Sequence, residues 1–286
     1  MKKRWLLLAI TTTVFWGVWG ALIEIPEKAG FPATLGYCVW ALTMVPCALV
    51  ALRSAGWKLE RDRRSILLGL IVGVTGAGGQ VLLFQALRTG PAYLVFPIIS
   101  LYPMVTVFLS TLLLKERASR RAWTGIIFAF IAIPMLAYQP SGDSAATGEL
   151  WLVLAGIVFL AWGIQGFFMK FANERMRAES IFFYMALAGL LLIPVTVAMT
   201  DFSQEINWGF TGPYLTALIQ ILNAAGALAY VFAVRYGKAI IVVPMTALAP
   251  MLTIILSLIL YGVVPNGVLV AGMVLASGAI YLMAEA

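Results

Sequence analysis

Histidine is absent from the 286 residues, and only 11% of them carry a charge. The first absence removes the commonest general base and transition-metal ligand, which weighs against an enzyme, and no metal site is expected. The second is far below the charged fraction of about 25% usual in soluble domains. Cysteine occurs twice, at Cys38 and Cys47 in one apolar run. Their separation, roughly 13 Å along a helix, is too wide for a disulfide, so they carry no redox information. Nucleotide-binding patterns are missing too: no GxxxxGK[ST] or GxGxxG surrounds the GAGG run of residues 76–79, which excludes a nucleotide-driven pump and leaves a gradient as the driving force. No cofactor is expected. Protease signatures, whether GxSxG with histidine, paired intramembrane aspartates or HExxH, are missing as well, so no catalytic residue is assigned.

What fills the chain instead is apolar. Hydrophobic residues make up 62% and the mean hydropathy is +0.98, the mark of an integral membrane protein. A membrane helix needs about 20 apolar residues. Ten such runs are found, at about 5–24, 33–52, 65–87, 91–114, 121–138, 150–170, 180–200, 212–234, 239–260 and 266–284. The net charge of +7 gathers in short gaps between runs, so topology explains it and no nucleic-acid partner is expected. Alternating the runs from an inside N-terminus places Lys28 and Arg88 outside and the remaining basic residues inside, with both termini cytoplasmic. Glu27, Asp143, Glu149, Asp201 and Glu205 fall outside.

The tract Gly90 to Ser110 recurs as Gly237 to Ser257 at an offset of 147. Pro97 falls on Pro244 and Pro103 on Pro250, and Trp16, Gly17 and Gly20 fall on Trp162, Gly163 and Gly166 at an offset of 146. The first run, after Lys2, Lys3 and Arg4, has features of a signal peptide, but its copy in the second half makes it part of the fold. Residues 1–138 form one repeat and 150–286 the other, with the polar segment 139–149 as linker. Five helices per half is an odd number, so the halves enter the membrane with opposite orientation, a plan of secondary transporters with a midplane site.

GPAYLVFPIISLYPMVTVFLSTLLLKER, its second copy and the FWGVWG of the first helix resemble the EamA-type members of the drug/metabolite transporter superfamily, over nearly the whole chain. The second copy departs where Lys115, Glu116 and Arg117 fall on Gly262, Val263 and Val264. The resemblance implies ten helices, with helices 1 to 4 and 6 to 9 around a central cavity and helices 5 and 10 peripheral, and export or exchange of small metabolites such as amino acids or related amphipathic compounds.

Candidate cavity residues are Trp16 and Trp162, each on a stripe with a glycine and an end charge, and the intramembrane amides Gln80, Gln165, Gln220 and Asn223, which need partners or a wet cavity. Tyr230 continues the stripe of Gln220 and Asn223. Tyr93 and Tyr102 stand opposite Ile240 and Ala249 and break the repeat symmetry, a place where one substrate can be read. For each, helix packing is the competing reading. Glu24 and Arg88 are expected to pair or face the outer vestibule as a gate or coupling site, against a reading as headgroup-facing charges. Pro97, Pro103, Pro244 and Pro250 are expected to kink helices into hinges and to free the carbonyls of residues 93, 99, 240 and 246. The partners expected are a small-molecule substrate and the lipid bilayer, with a monomer or homodimer as the assembly and a bacterial cytoplasmic membrane as the location. A lipid flippase of the same fold is the nearest alternative, and a membrane-embedded enzyme a more distant one.

Overall fold

The computed structural model describes residues 4–90, 92–138, 149–262 and 265–284, with the side chains of 92–94, 97 and 261 outside that description. Residues 139–148 of the expected linker, Asp143 among them, and the side chains of Tyr93 and Pro97 therefore lie outside that description. Fourteen α-helices account for most of the rest, and no strand occurs among them. In chain order they are α1 (Arg4–Leu22), α2 (Glu24–Lys28), α3 (Ala33–Ser54), α4 (Arg63–Thr89), α5 (Ala92–Ser100), α6 (Pro103–Leu113) and α7 (Arg120–Leu136). Then follow α8 (Leu150–Asn173), α9 (Ala178–Leu191), α10 (Ile193–Ala198), a wide π turn at Phe210–Tyr214, α11 (Leu215–Tyr236), α12 (Ala239–Thr246), α13 (Ala249–Tyr261) and α14 (Gly267–Ala284). The chain is an all-α membrane protein.

Eight helices or helix pairs are long and apolar enough to cross a bilayer. The other two expected spans differ. The fourth run is broken into α5 and α6 by a turn at Leu101 and Tyr102, and the fifth is the 17-residue α7, about 25 Å at 1.5 Å per residue and shorter than the hydrocarbon layer. Large side chains such as Leu7, Val50, Phe108 and Val274 point outward, as expected of a surface wetted by lipid.

Local signals set the helix ends. Asp62 begins α4 by accepting the N–H groups of Arg64 and Ser65, and the hydrogen bonds from Ser65 hold its carboxyl below the usual value. Ser119 caps α7 by accepting from Ala122 N–H, and Asn266 caps α14 by accepting from Leu269 N–H. These side chains satisfy orphan donors of the first turn.

Pro103 opens α6 and Pro250 stands second in α13, where a missing N–H costs nothing. The helices ahead of them end in short-range closures. Leu101 N–H donates to Ile98 O and Met104 N–H to Leu101 O; 147 residues on, Leu248 N–H donates to Met245 O and Met251 N–H to Leu248 O. The expectation of a free carbonyl at residue 99 is corrected here, because Ile99 O accepts from Tyr102 N–H at 3.0 Å. The chain tightens by one residue and recaptures the group, as it must in a medium with nothing else to offer.

The principal helix contacts cross between the halves: α4 lies along α8, α1 along α11 and α13, α6 along α8, and α7 along α14. They are close because small residues and threonines face one another. Thr106 Oγ1 donates to Gly163 O at 2.7 Å, and Thr253 Oγ1 donates to Gly17 O at 3.0 Å. A Cβ on Gly163 would stand 2.3 Å from Val105 Cβ and 2.8 Å from the Tyr102 carbonyl oxygen, which is backbone and cannot swing aside. On the same helix, a Cβ on Gly156 meets nothing within 4 Å. Gly163→Ala is therefore expected to destabilise the detergent-solubilised protein by about 1–3 kcal/mol through overpacking. Gly156→Ala should be neutral or stabilising by up to ~1 kcal/mol through helix propensity. Thermal unfolding of the two variants side by side reads the difference, and equal transitions would reject this packing.

Candidate functional site: an aromatic row between the two halves

The site is built on the helix pairs α1–α11 and α4–α8. Trp16 on α1 donates its indole N–H to Asn223 O of α11 at 3.3 Å. Trp162 on α8 donates its own to Gly76 O of α4 at 3.2 Å. The two acceptors are 147 residues apart in the sequence, so each tryptophan is seated the same way on the other half's helix. Their phenol partners differ. Trp16 packs against Tyr230, with ring centroids 5.4 Å apart and tilted by 51°, whereas Trp162 meets Tyr102 edge-on at 5.8 Å. Both spacings are those of favourable aromatic pairs. Trp16 with Tyr230 and Trp162 with Tyr102 thus make two aromatic pairs, each joining one half to the other, together the aromatic row. Tyr102 reaches it from the turn between α5 and α6, so the proline break is what presents the phenol.

Amides flank this row, with distinct roles. Gln220 is 5% exposed and its amide is engaged with neighbouring helices. Oε1 accepts from Trp19 Nε1 at 3.0 Å and Asn223 Nδ2 at 3.3 Å, while Nε2 donates to Gly36 O of α3 at 3.3 Å. It ties α1, α3 and α11 together. Trp19, which the sequence reading passed over, completes the knot; its signal was a second tryptophan three residues after the repeated Trp16. Asn223 is half-buried beside Trp16. Gln165 presses its amide against α4, since a Cβ on Gly76 would stand 2.0 Å from Gln165 Nε2. Gln80 is half-buried on α4, one residue beyond Gly79, where a Cβ would meet Trp162 Nε1 at 2.4 Å.

The expected Glu24–Arg88 pair is not what the geometry brings together. α1 stops at Leu22, and Glu24 begins the short α2, which places Lys28 one turn on; the two pair at 2.6 Å with both side chains exposed. Arg88 instead lines a groove of about 510 Å³ with Glu27, Asp201 and Glu205 at the end predicted to be external. The Asp201 carboxyl there is held below its usual value by bonds from Ser203, with Arg88 adding a smaller pull. Among the described residues no group of three or more acidic, cysteine or histidine side chains could hold a metal.

At the opposite end, Glu116 and Lys170 approach to 3.9 Å with 8% and 14% of their side chains exposed. In the sequence Lys170 ends the stripe of Trp162 and Gly166, with a cavity-lining face and an ordinary end charge as its two readings, and Glu116 lacks a second copy.

A model of the EamA-like transporter family matches residues 3–138 and again 147–284. The chain belongs to the EamA-like transporter family. It is similar to an uncharacterized transporter of Archaeoglobus fulgidus, 23% identical over 72% of each protein. It is also similar to Protein LicB of Haemophilus influenzae, 23% identical over 71% of each. CMP-sialic acid transporter 2 of Oryza sativa is 25% identical over 60% of this chain and 49% of its own length. A solved crystal structure superposes on 99% of the chain and 96% of its own with a TM-score of 0.80 at 16% identity, which shows the fold. In this EamA-like chain the aromatic row sits where both family matches meet in space.

Gln220→Leu removes one acceptor shared by two donors and one donor to a backbone carbonyl. The buried partners left unpaired should cost about 1–3 kcal/mol. Glu24→Gln breaks only an exposed pair one turn apart and should cost at most about 0.5 kcal/mol. Thermal denaturation of the two variants checks both values, and a larger loss in the Glu24 variant would overturn this assignment of roles.

Proposed function

We propose that this protein is a secondary transporter of small organic metabolites, working by alternating access between two inverted five-helix repeats. On this reading the ten apolar runs are ten membrane segments, α5 with α6 acting as one and α7 as another, and both termini face the cytoplasm of a bacterial cell. The observation that carries it is the reciprocity of contacts. Trp16 and Trp162, Thr253 and Thr106, and Gly17 and Gly163 exchange equivalent bonds between the halves. Two nearly equivalent half-structures facing each other give two nearly isoenergetic arrangements, the requirement for opening alternately to either side. The proline breaks ahead of Pro103 and Pro250 supply the joints.

The aromatic row is the substrate seat in this reading. Its groups are indoles, phenols and amides, which grip a flat or amphipathic molecule by stacking and a few directed hydrogen bonds. A phosphate-bearing substrate, such as the name of the Oryza sativa relative implies for that protein, calls for arginine or lysine at the contact. Among the described residues of this row there is neither. The substrate class favoured here is therefore a neutral or zwitterionic metabolite, moved out of the cell or exchanged. Tyr102, unmatched in the second half, provides the asymmetry that a single substrate needs.

A thermal-shift screen of purified protein against amino acids, amines, nucleobases and sugars tests the reading, followed by flux into proteoliposomes at two pH values. At least one ligand should raise the transition, and a saturating ligand at 100 times its Kd contributes about 2.7 kcal/mol. Trp162→Ala should abolish both the shift and the flux of that ligand. Scrambling of labelled lipid without any soluble ligand would replace this proposal with a flippase.

A further inference from the structure

The loop that follows α6 turns Glu116 back into protein. Its two carboxylate oxygens accept the N–H groups of Ala239 and Ile240, the first two residues of α12, at 3.1 Å each. Lys170, near the end of α8, stands 3.9 Å from Oε1. Its ammonium also donates to Gly237 O at 2.8 Å and Val234 O at 3.3 Å, the last carbonyls of α11. Lys238 Nζ donates to Arg117 O at 2.5 Å, so the loop of the first half and the corner between α11 and α12 grip each other twice. Glu174, at the end of α8, also acts on Glu116, and Arg235 of α11 donates to Asn173 O and Met176 O. Burial pushes the Glu116 carboxyl above its usual value, against the pull of the two N–H groups and Lys170. A charge held at that cost fixes an arrangement more than it adds stability.

Among the described residues the other end holds no such device. At the repeat offsets the positions of Glu116 and Lys170 are taken by Val263 and Glu24. Valine accepts no hydrogen bond, and Glu24 is spent on Lys28 at the surface. The pseudo-symmetry that makes the two access states similar is broken at this place.

We propose that Glu116 is the bolt of the cytoplasmic gate. It joins the α6–α7 loop of one half to α8 and α12 of the other while that end is shut, and releases when α12 moves away. The proposal depends on the transporter reading only for what passes through the gate. Removing the carboxylate leaves two N–H groups without their acceptor and Lys170 without its ion partner in the shut form, whereas the opened form offers them water. The loss therefore favours opening.

Access to Ala239, fully buried beneath the bolt, reads the gate without any substrate. Ala239→Cys is placed in a background with Cys38→Ser and Cys47→Ser, and the protein in nanodiscs is treated with a charged methanethiosulfonate. Lys58→Cys, an exposed position, serves as the control. Labelling of Ala239→Cys should be slow with Glu116 in place and at least about tenfold faster with Glu116→Gln, a shift in gate equilibrium of about 1.4 kcal/mol. Glu116→Asp, which keeps the charge on a shorter arm, should fall between them, and the control should not change. Lys170→Gln should also accelerate labelling and decides the matter if Glu116→Gln lacks a cooperative thermal transition. Parental labelling rates in whichever of these two variants folds overturn the bolt. A failed flux assay would reject the transporter reading and leave this result standing, so the two failures are distinguishable.

Discussion

Hydrocarbon offers no hydrogen bonds, and that constraint runs through the whole molecule. Each backbone group released by a break must be taken back by protein. At Leu101 and Leu248 the chain does so by tightening into short-range closures ahead of a proline. Where helices from the two halves meet, threonine hydroxyls donate to carbonyls of the facing helix, and glycines allow the approach that makes those bonds possible. Packing and polar satisfaction are the same event in this bundle, because small residues bring backbones near enough to serve as each other's acceptors.

The same constraint sorts the intramembrane amides. Gln220 is engaged on both sides of its amide and works as a knot among three helices. The aromatic row differs in kind. Its indoles spend their N–H groups on backbone and pack against the phenols, Trp16 tilted and Trp162 edge-on, so their polar cost is met by carbonyls of the other half. Charge is kept to the ends of the bundle, exposed around Glu24 and Lys28 and buried at Glu116 and Lys170. Among the described residues the helices of the two halves pack in matching ways, while the charged contacts at the two ends differ.

Much of this was legible in the residues. The doubling of Gly90 to Ser110, the tryptophans an offset apart and the apolar runs led directly to a helical membrane protein of this family. Two features were legible only in outline. The fourth run read as one helix, yet Pro103 does better as the first residue of a new helix than inside an old one, so the run parts at Tyr102. Glu24 closes the first apolar run and read as a gate or coupling acid at the outer boundary, but α1 ends two residues earlier and a new helix turns the carboxylate to the surface. Glu116 gave no sign of its burial, since a carboxylate in a short basic loop is ordinarily in water.

Composition and the pattern of consecutive residues by themselves determined the solvent this protein folds in, the number and place of its apolar runs and the duplication, and the resemblance of its repeated tracts pointed to the family. These are properties of consecutive residues, and each run carries its own signal. Which half's glycine receives which threonine, which tyrosine completes each tryptophan and where a loop carboxylate finds its N–H donors were decided only by the tertiary structure. Those contacts join residues about 50 to 240 positions apart, and no local pattern fixes the rotation of one helix against another.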